Sequence, residues 1–215
     1  MKQLTLDITT PPVPSFDNFV AGRNREALAH VRAAVSGAGE RFIYVWGDAG
    51  CGRTHLLKAA TGAATGAAYV ACDTDSCFDG DATLLAVDDV GRMGAGAQVA
   101  LFNRYNALRE QGGCLIASGD VPPVQLALRV DLLTRLGWGL VLQLYPLTDD
   151  EKSQALTQRA RARGFDLTRE VCAYLLAHTA RGIGPLFGTL DALDRFSLET
   201  KRPVTVPLLR ELLSK

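Results

Sequence analysis

A chain of 215 residues can form one large domain or two small ones, and 47% hydrophobic with 21% charged residues is a globular composition, neither disordered nor fibrous. Lys plus Arg and Asp plus Glu each number 23, so the formal net charge of +0 gives no electrostatic case for non-specific binding to nucleic acid or to an anionic membrane. No apolar run approaches the roughly 20 residues that span a bilayer. Met1 to Pro14 lacks the basic and apolar regions of a leader, and five cysteines without paired CxxC spacing read as reduced thiols, mostly small apolar fillers, so a cytoplasmic location is expected.

Ile43 to Trp46 is a short β-rich run ending at Gly47, and the Gly-rich stretch after it gives way to Thr54–Ala60, a good helix former. Further short apolar runs at 68–71, 84–87, 115–117 and 140–144, each bounded by Gly, Asp or Pro, predict buried parallel strands. Leu101, Tyr105 and Leu108 fall at helical spacing and predict a covering helix, which makes the first part of the chain an α/β sheet domain. After Pro146 the pattern turns helical, apart from a brief β-rich Pro203–Val206. Thr148-Asp-Asp-Glu151 has capping-box spacing for a helix to about Arg163. Thr168 starts a second helix, 186–198 gives a third, and 207–213 a short fourth. The domains expected are therefore 15–147, α/β and nucleotide-binding, and 148–215, a small all-helical unit, preceded by a peptide and spacer over 1–14.

Gly47-Asp48-Ala49-Gly50-Cys51-Gly52-Arg53-Thr54 fits the P-loop pattern G-x4-G-K-[ST] except that Arg53 stands in the Lys position. Glycines let the backbone wrap phosphates and aim N–H groups at them, and the following helix adds its N-terminal partial charge. Thr54 is the candidate Mg²⁺ ligand. Leu84-Leu-Ala-Val-Asp88-Asp89 is an apolar strand ending in two acids, the arrangement that holds Mg²⁺ through Asp88. Asp89 stands where a water-activating Glu is common. The cofactors expected are ADP or ATP with Mg²⁺. His55, next on the helix, is placed beside the nucleotide as a packing residue.

Phe16-Asp-Asn-Phe-Val-Ala-Gly-Arg-Asn24, Ala117-Ser-Gly-Asp120 followed by Pro122-Pro123, and Leu128-Arg-Val-Asp-Leu-Leu-Thr-Arg135-Leu-Gly-Trp-Gly139 complete the pattern. With the P-loop they resemble the AAA+ module of the DnaA family, and within it the Hda-type regulators, in which Arg at the P-loop lysine position also occurs. The resemblance covers nearly all of the chain, including 156–165 and 186–194. It implies an AAA+ domain with a helical lid, an adenine pocket involving Phe19, Val20 and Gly22, a sensor I segment at Asp120, an arginine finger at Arg135 and a supporting Arg129. Trp138 is then a packing anchor beside the finger. The sensor II arginine of the family aligns with Gly184, and Arg181 is the substitute. Arg159, Arg161, Arg163 and Arg169 read as a solvated charged face. The chain is also expected to lack the family's origin-reading helix-turn-helix domain.

Gln3-Leu4-Thr5-Leu6-Asp7-Ile8 resembles the peptides that dock on the bacterial replicative sliding clamp, with Leu4, Leu6 and Ile8 as apolar anchors, Gln3 setting register, and Pro11, Pro12 and Pro14 as spacer. What the resemblance implies is a negative regulator of replication initiation that binds adenine nucleotide and the clamp and stimulates ATP hydrolysis by DnaA through a trans finger, with weak or no ATPase activity of its own. DnaA and the β clamp are the expected partners and a homodimer is allowed. Membrane and sequence-specific DNA contacts are not expected. The rival readings are a conventional AAA+ ATPase such as a helicase loader, and a DNA-bound partner module, which would need basic recognition elements.

Overall fold

The computed structural model describes residues 13–180 and 182–214, which divide into two compact units, Pro14–Pro146 and a second beginning at Leu147. In the first, α1 (Arg25–Val35) follows a short 3-10 turn and leads to β1 (Phe42–Trp46), α2 (Arg53–Gly62), β2 (Ala67–Ala71) and β3 (Leu84–Asp88). Next come α3 (Ala95–Glu110), β4 (Cys114–Gly119), α4 (Val130–Trp138) and β5 (Leu140–Gln143). The strands pair in the order β2-β3-β4-β1-β5, all parallel. Both faces of the central strands β1, β3 and β4 are covered, which is why they read as unbroken apolar runs, whereas the burial expected at 68–71 and 140–144 is corrected: the edge strand β2 is half-buried and β5 alternates half-buried with exposed residues, because an edge strand has a neighbour on one side only. Alternate residues go to opposite sides: Ile43, Val45, Leu84, Ala86 and Ile116 pack with α1 and α2, while Tyr44, Leu85, Val87, Leu115 and Ala117 pack with α3 and α4. Leu101, Tyr105 and Leu108 are buried in the second of these layers, as their spacing predicted.

The strand order places the chemistry. β4 lies between β1 and β3, so the segments leaving the carboxyl ends of these three neighbours (47–53, 88–89 and 118–120) emerge side by side. The register pairs Val45 with Ser118 and Val87 with Ala117.

The second unit holds α5 (Asp149–Ala162), α6 (Arg169–His178), α7 (Ile183–Thr200) and α8 (Val206–Leu213) around Leu156, Val171, Leu175, Leu190, Leu193 and Leu208. The predicted capping box is present: Thr148 Oγ1 accepts the Glu151 N–H at 3.2 Å and Glu151 Oε2 accepts the Thr148 N–H at 2.8 Å. Pro203–Thr205 forms no strand and Val206 begins α8, because Pro207 suits a helix start. The expected solvated basic face holds for the exposed Arg161 and Arg169 and is corrected for Arg159 and Arg163. Arg159 forms a two-pronged ion pair with Asp191, Nε to Oδ1 at 2.9 Å and Nη2 to Oδ2 at 2.6 Å, and stacks 4.6 Å over Phe187, while Arg163 Nε reaches Asp194 at 2.7 Å. Asp191 and Asp194 are buried on α7, so these arginines clip α5 to α7. Their partners lie about thirty residues downstream on another helix, beyond the reach of a local charge pattern. Among the described residues no helix is long and apolar enough to cross a membrane.

Candidate functional site

The loop from β1 to α2 is shaped by glycine. At Gly47 the chain passes against the Leu144 carbonyl, where a Cβ would collide with backbone. Gly52, the N-cap of α2, has φ +105, and a Cβ on it would lie 2.9 Å from the Phe19 ring. Gly50 is also left-handed, with open space where its side chain would be. Asp48, Ala49 and Gly50 are exposed and Cys51 is buried; burial pushes the Cys51 thiol up, leaving it neutral and a filler.

Arg53 and Thr54 are the first two residues of α2. Thr54 is exposed. Arg53 is 13% exposed in its side chain, its Nη2 is 3.2 Å from Asp89 Oδ1, and its Nη1 is buried with no hydrogen-bond partner. A buried guanidinium N–H without an acceptor is costly, and a phosphate oxygen is the group that fits it. The cradle and this orphaned donor therefore fit a nucleotide's phosphates.

Asp88, at the end of β3, is 3% exposed. Its Oδ1 accepts a very short hydrogen bond from Ser118 Oγ, and its Oδ2 accepts one from Tyr69 on β2 at 2.8 Å. Each Asp88 carboxylate oxygen keeps a second lone pair, so Asp88 and the Thr54 hydroxyl are oxygen donors of the kind Mg²⁺ takes. Among the described residues no three His, Cys, Asp or Glu side chains converge to hold a metal, so nucleotide phosphates and water would supply the remaining ligands. Asp89 has φ 57, and its N–H donates to Ser118 Oγ at 3.0 Å. Ser118 thus ties both acids to β4. The Tyr69 phenol is raised well above its usual range by burial, then by its bond to Asp88, and the Tyr44 phenol by burial, then by Asp120.

Phe19 lies against the P-loop, its ring packed edge-on against His55 at 5.4 Å, and His55 Nε2 is 3.0 Å from the Ser15 carbonyl. His55 thus joins the start of α2 to the 15–19 segment. Val20 is half-buried and Gly22 is left-handed at φ +49 where the 3-10 turn begins. Asn24 fixes this segment by exchanging two 2.8 Å hydrogen bonds with the Tyr145 backbone. Asp120 is exposed beyond β4.

Arg135 belongs to a different cluster. Its guanidinium lies 4.0 Å over Trp138 and 5.5 Å from Phe102, and its Nε donates to Asn106 at 3.2 Å. No carboxylate pairs with it among the described residues, whereas Arg129 is held by Asp131 at 2.8 Å. Trp138 packs beside Arg135, as expected: its ring is faced by Arg135 and by Arg109, and it is 55% exposed where α4 ends. The candidates Gln3, Leu4, Leu6, Ile8 and Arg181 lie outside the described residues. Ser118, Tyr69, Asn106 and Phe102 were given no role from sequence; Ser118 sits inside the sensor I segment, and the others come into contact only through the sheet order and the α3–α4 packing.

Residues 149–213 match the family model of the Hda lid domain, and residues 12–70 that of the bacterial DnaA ATPase domain. Domain III of Thermotoga maritima DnaA superposes with a TM-score of 0.74 at 20% identity, over 94% of this chain and 96% of that one. Aquifex aeolicus DnaA bound to AMPPCP superposes at 0.70 with 22% identity, over 88% of this chain and 70% of that one. A Thermotoga maritima RuvB variant reaches 0.66 at 14% identity, over 94% and 71%. The all-parallel sheet with its P-loop after β1 is thus the fold of these structural neighbours, and the two family models over 12–70 and 149–213 mark the chain as an AAA+ protein of the Hda/DnaA type.

Proposed function

We propose that this protein is a regulator of replication initiation that binds adenine nucleotide at 47–54, ADP in preference to ATP, and accelerates ATP hydrolysis on a neighbouring DnaA subunit through Arg135. The observation that carries the proposal is the contrast between its two arginines. Arg53, in the position of the P-loop lysine, is partly neutralised by Asp89, whereas Arg135 lies over Trp138 and near Phe102 with no carboxylate paired to it among the described residues. The first arrangement is poor for the chain's own γ-phosphate chemistry. The second is what a donated finger needs.

Loss of the γ-phosphate spreads negative charge over its oxygens and the bridging leaving oxygen. A guanidinium already fixed in place stabilises that charge without the reorganisation water would require. Here the rings and Asn106 fix it. On this reading the bound nucleotide with Mg²⁺ supplies phosphate charge that neutralises Arg53. The chain's own residues then do the holding: loop amides and Arg53 take phosphate oxygens, Thr54 and Asp88 orient the cation, and Phe19, Val20 and Gly22 lie toward the base. The segment Gln3–Ile8 is the proposed tether to the sliding clamp, raising the local concentration of Arg135 near DnaA. DnaA ATPase activity measured with this protein, clamp and primed DNA tests the reading. Stimulation that requires loaded clamp is expected, stimulation without clamp removes the tether, and none under any condition overturns the function.

A further inference from the structure

We infer that the Arg53–Asp89 ion pair decides which nucleotide the P-loop keeps, with Asp89 acting as a discriminator against a third phosphate and not as a water-activating base. The inference rests on the reading that 47–54 holds an adenine nucleotide. Arg53 presents two different edges: Nη2 is committed to Asp89 Oδ1 at 3.2 Å, and Nη1 is buried without an acceptor. A P-loop lysine is a point charge that serves β- and γ-phosphate alike. A guanidinium tied at one edge has only the other to offer, so it satisfies one terminal phosphate.

The main chain at Asp89 is held in place. Its backbone is in the left-handed region at φ 57 and ψ 54, which non-glycine residues seldom adopt, and its N–H is fastened to Ser118 Oγ, which is itself bonded to Asp88. With its backbone held there, the carboxylate stays within reach of Arg53, so a third phosphate would bring further negative charge beside it. The Asp89 side chain is 39% exposed, so water screens part of that repulsion and the discrimination expected is about tenfold, not absolute. Its short arm also leaves its carboxylate on the guanidinium instead of beyond it, where an attacking water would be activated.

Asp89→Asn keeps the shape, removes the charge, and suits a left-handed backbone at least as well, so the variant should fold. The measurement is calorimetric titration of full-length protein with ADP and with AMPPCP, both with Mg²⁺, for wild type, Asp89→Asn and Asp89→Glu, with melting curves of each without nucleotide. Wild type is expected to favour ADP, Asp89→Asn to lose about tenfold of that preference through tighter AMPPCP binding, and Asp89→Glu to retain it. An unchanged ADP-to-AMPPCP ratio in Asp89→Asn, or equal weakening of both ligands with a lowered melting temperature, overturns the inference while leaving nucleotide binding standing. If wild type binds neither ligand, the nucleotide reading itself fails and the inference with it.

Discussion

Replacing Arg135 by Ala removes a guanidinium that stacks on Trp138 at 4.0 Å, approaches Phe102 at 5.5 Å and donates to Asn106 at 3.2 Å. Partly exposed cation–π contacts contribute about 0.5–1 kcal/mol each and the hydrogen bond about 1 kcal/mol, so the variant should lose about 2 kcal/mol of stability. For a chain of this size that lowers the melting temperature by about 4–8 °C. Against a total of about 5–15 kcal/mol, nearly all molecules stay folded at 25 °C. A trans finger contributes about 10³ to 10⁵ in rate, equivalent to about 4–7 kcal/mol of barrier. The two effects thus separate: a modest melting shift cannot account for a thousandfold loss. The assay is DnaA ATP turnover under single-turnover conditions with clamp and primed DNA, beside a melting curve of the variant alone. Arg135→Ala with the expected melting shift but stimulation within about tenfold of wild type would reduce Arg135 to a brace for the 137–139 turn. Arg135→Lys keeps the charge but loses the planar fork and the stack, and little recovery is expected.

Gly52→Ala should weaken nucleotide binding and cost about 2 kcal/mol, because φ +105 is closed to Ala and the new Cβ would lie 2.9 Å from Phe19; ligand titration and urea unfolding check it, and a normal affinity would show that the loop tolerates a side chain. Asp191→Ala leaves Arg159 facing a mostly buried void on α5 and should destabilise the helical unit by about 3 kcal/mol, read by urea unfolding followed through helical circular dichroism. Of the five cysteines only Cys77 is exposed, so iodoacetamide at pH 8 should modify one thiol on the native protein and five after denaturation, as counted by mass spectrometry. Burial pushes the Cys114 thiol from its ordinary 9.0 up to about 11. Because the folded state favours the protonated thiol, the stability it contributes is complete below pH 9.0 and declines as pH rises toward about 11, which a series of unfolding curves over that range measures.

Much of this protein is legible from its amino-acid order. Parallel strands buried on both faces must be continuous apolar runs, so 84–87 and 115–117 declare themselves; phosphate binding needs backbone without Cβ atoms, so 47–52 does too. The capping box at Thr148 is a contact across three residues and is fully local. What only the tertiary structure decides is the identity of partners far apart in sequence. That Tyr69 meets Asp88, and that Ser118 binds both acids, follows from β3 lying between β2 and β4. That Arg159 and Arg163 are clips and not a solvated face depends on α7 packing against α5. Arg53 reads the same in sequence whether its charge is spent or free. Only the folding of Asp89 beside it, thirty-six residues later, commits one edge of the guanidinium and leaves the other bare, because charge neutralisation depends on distance in space, to which local residue order is blind.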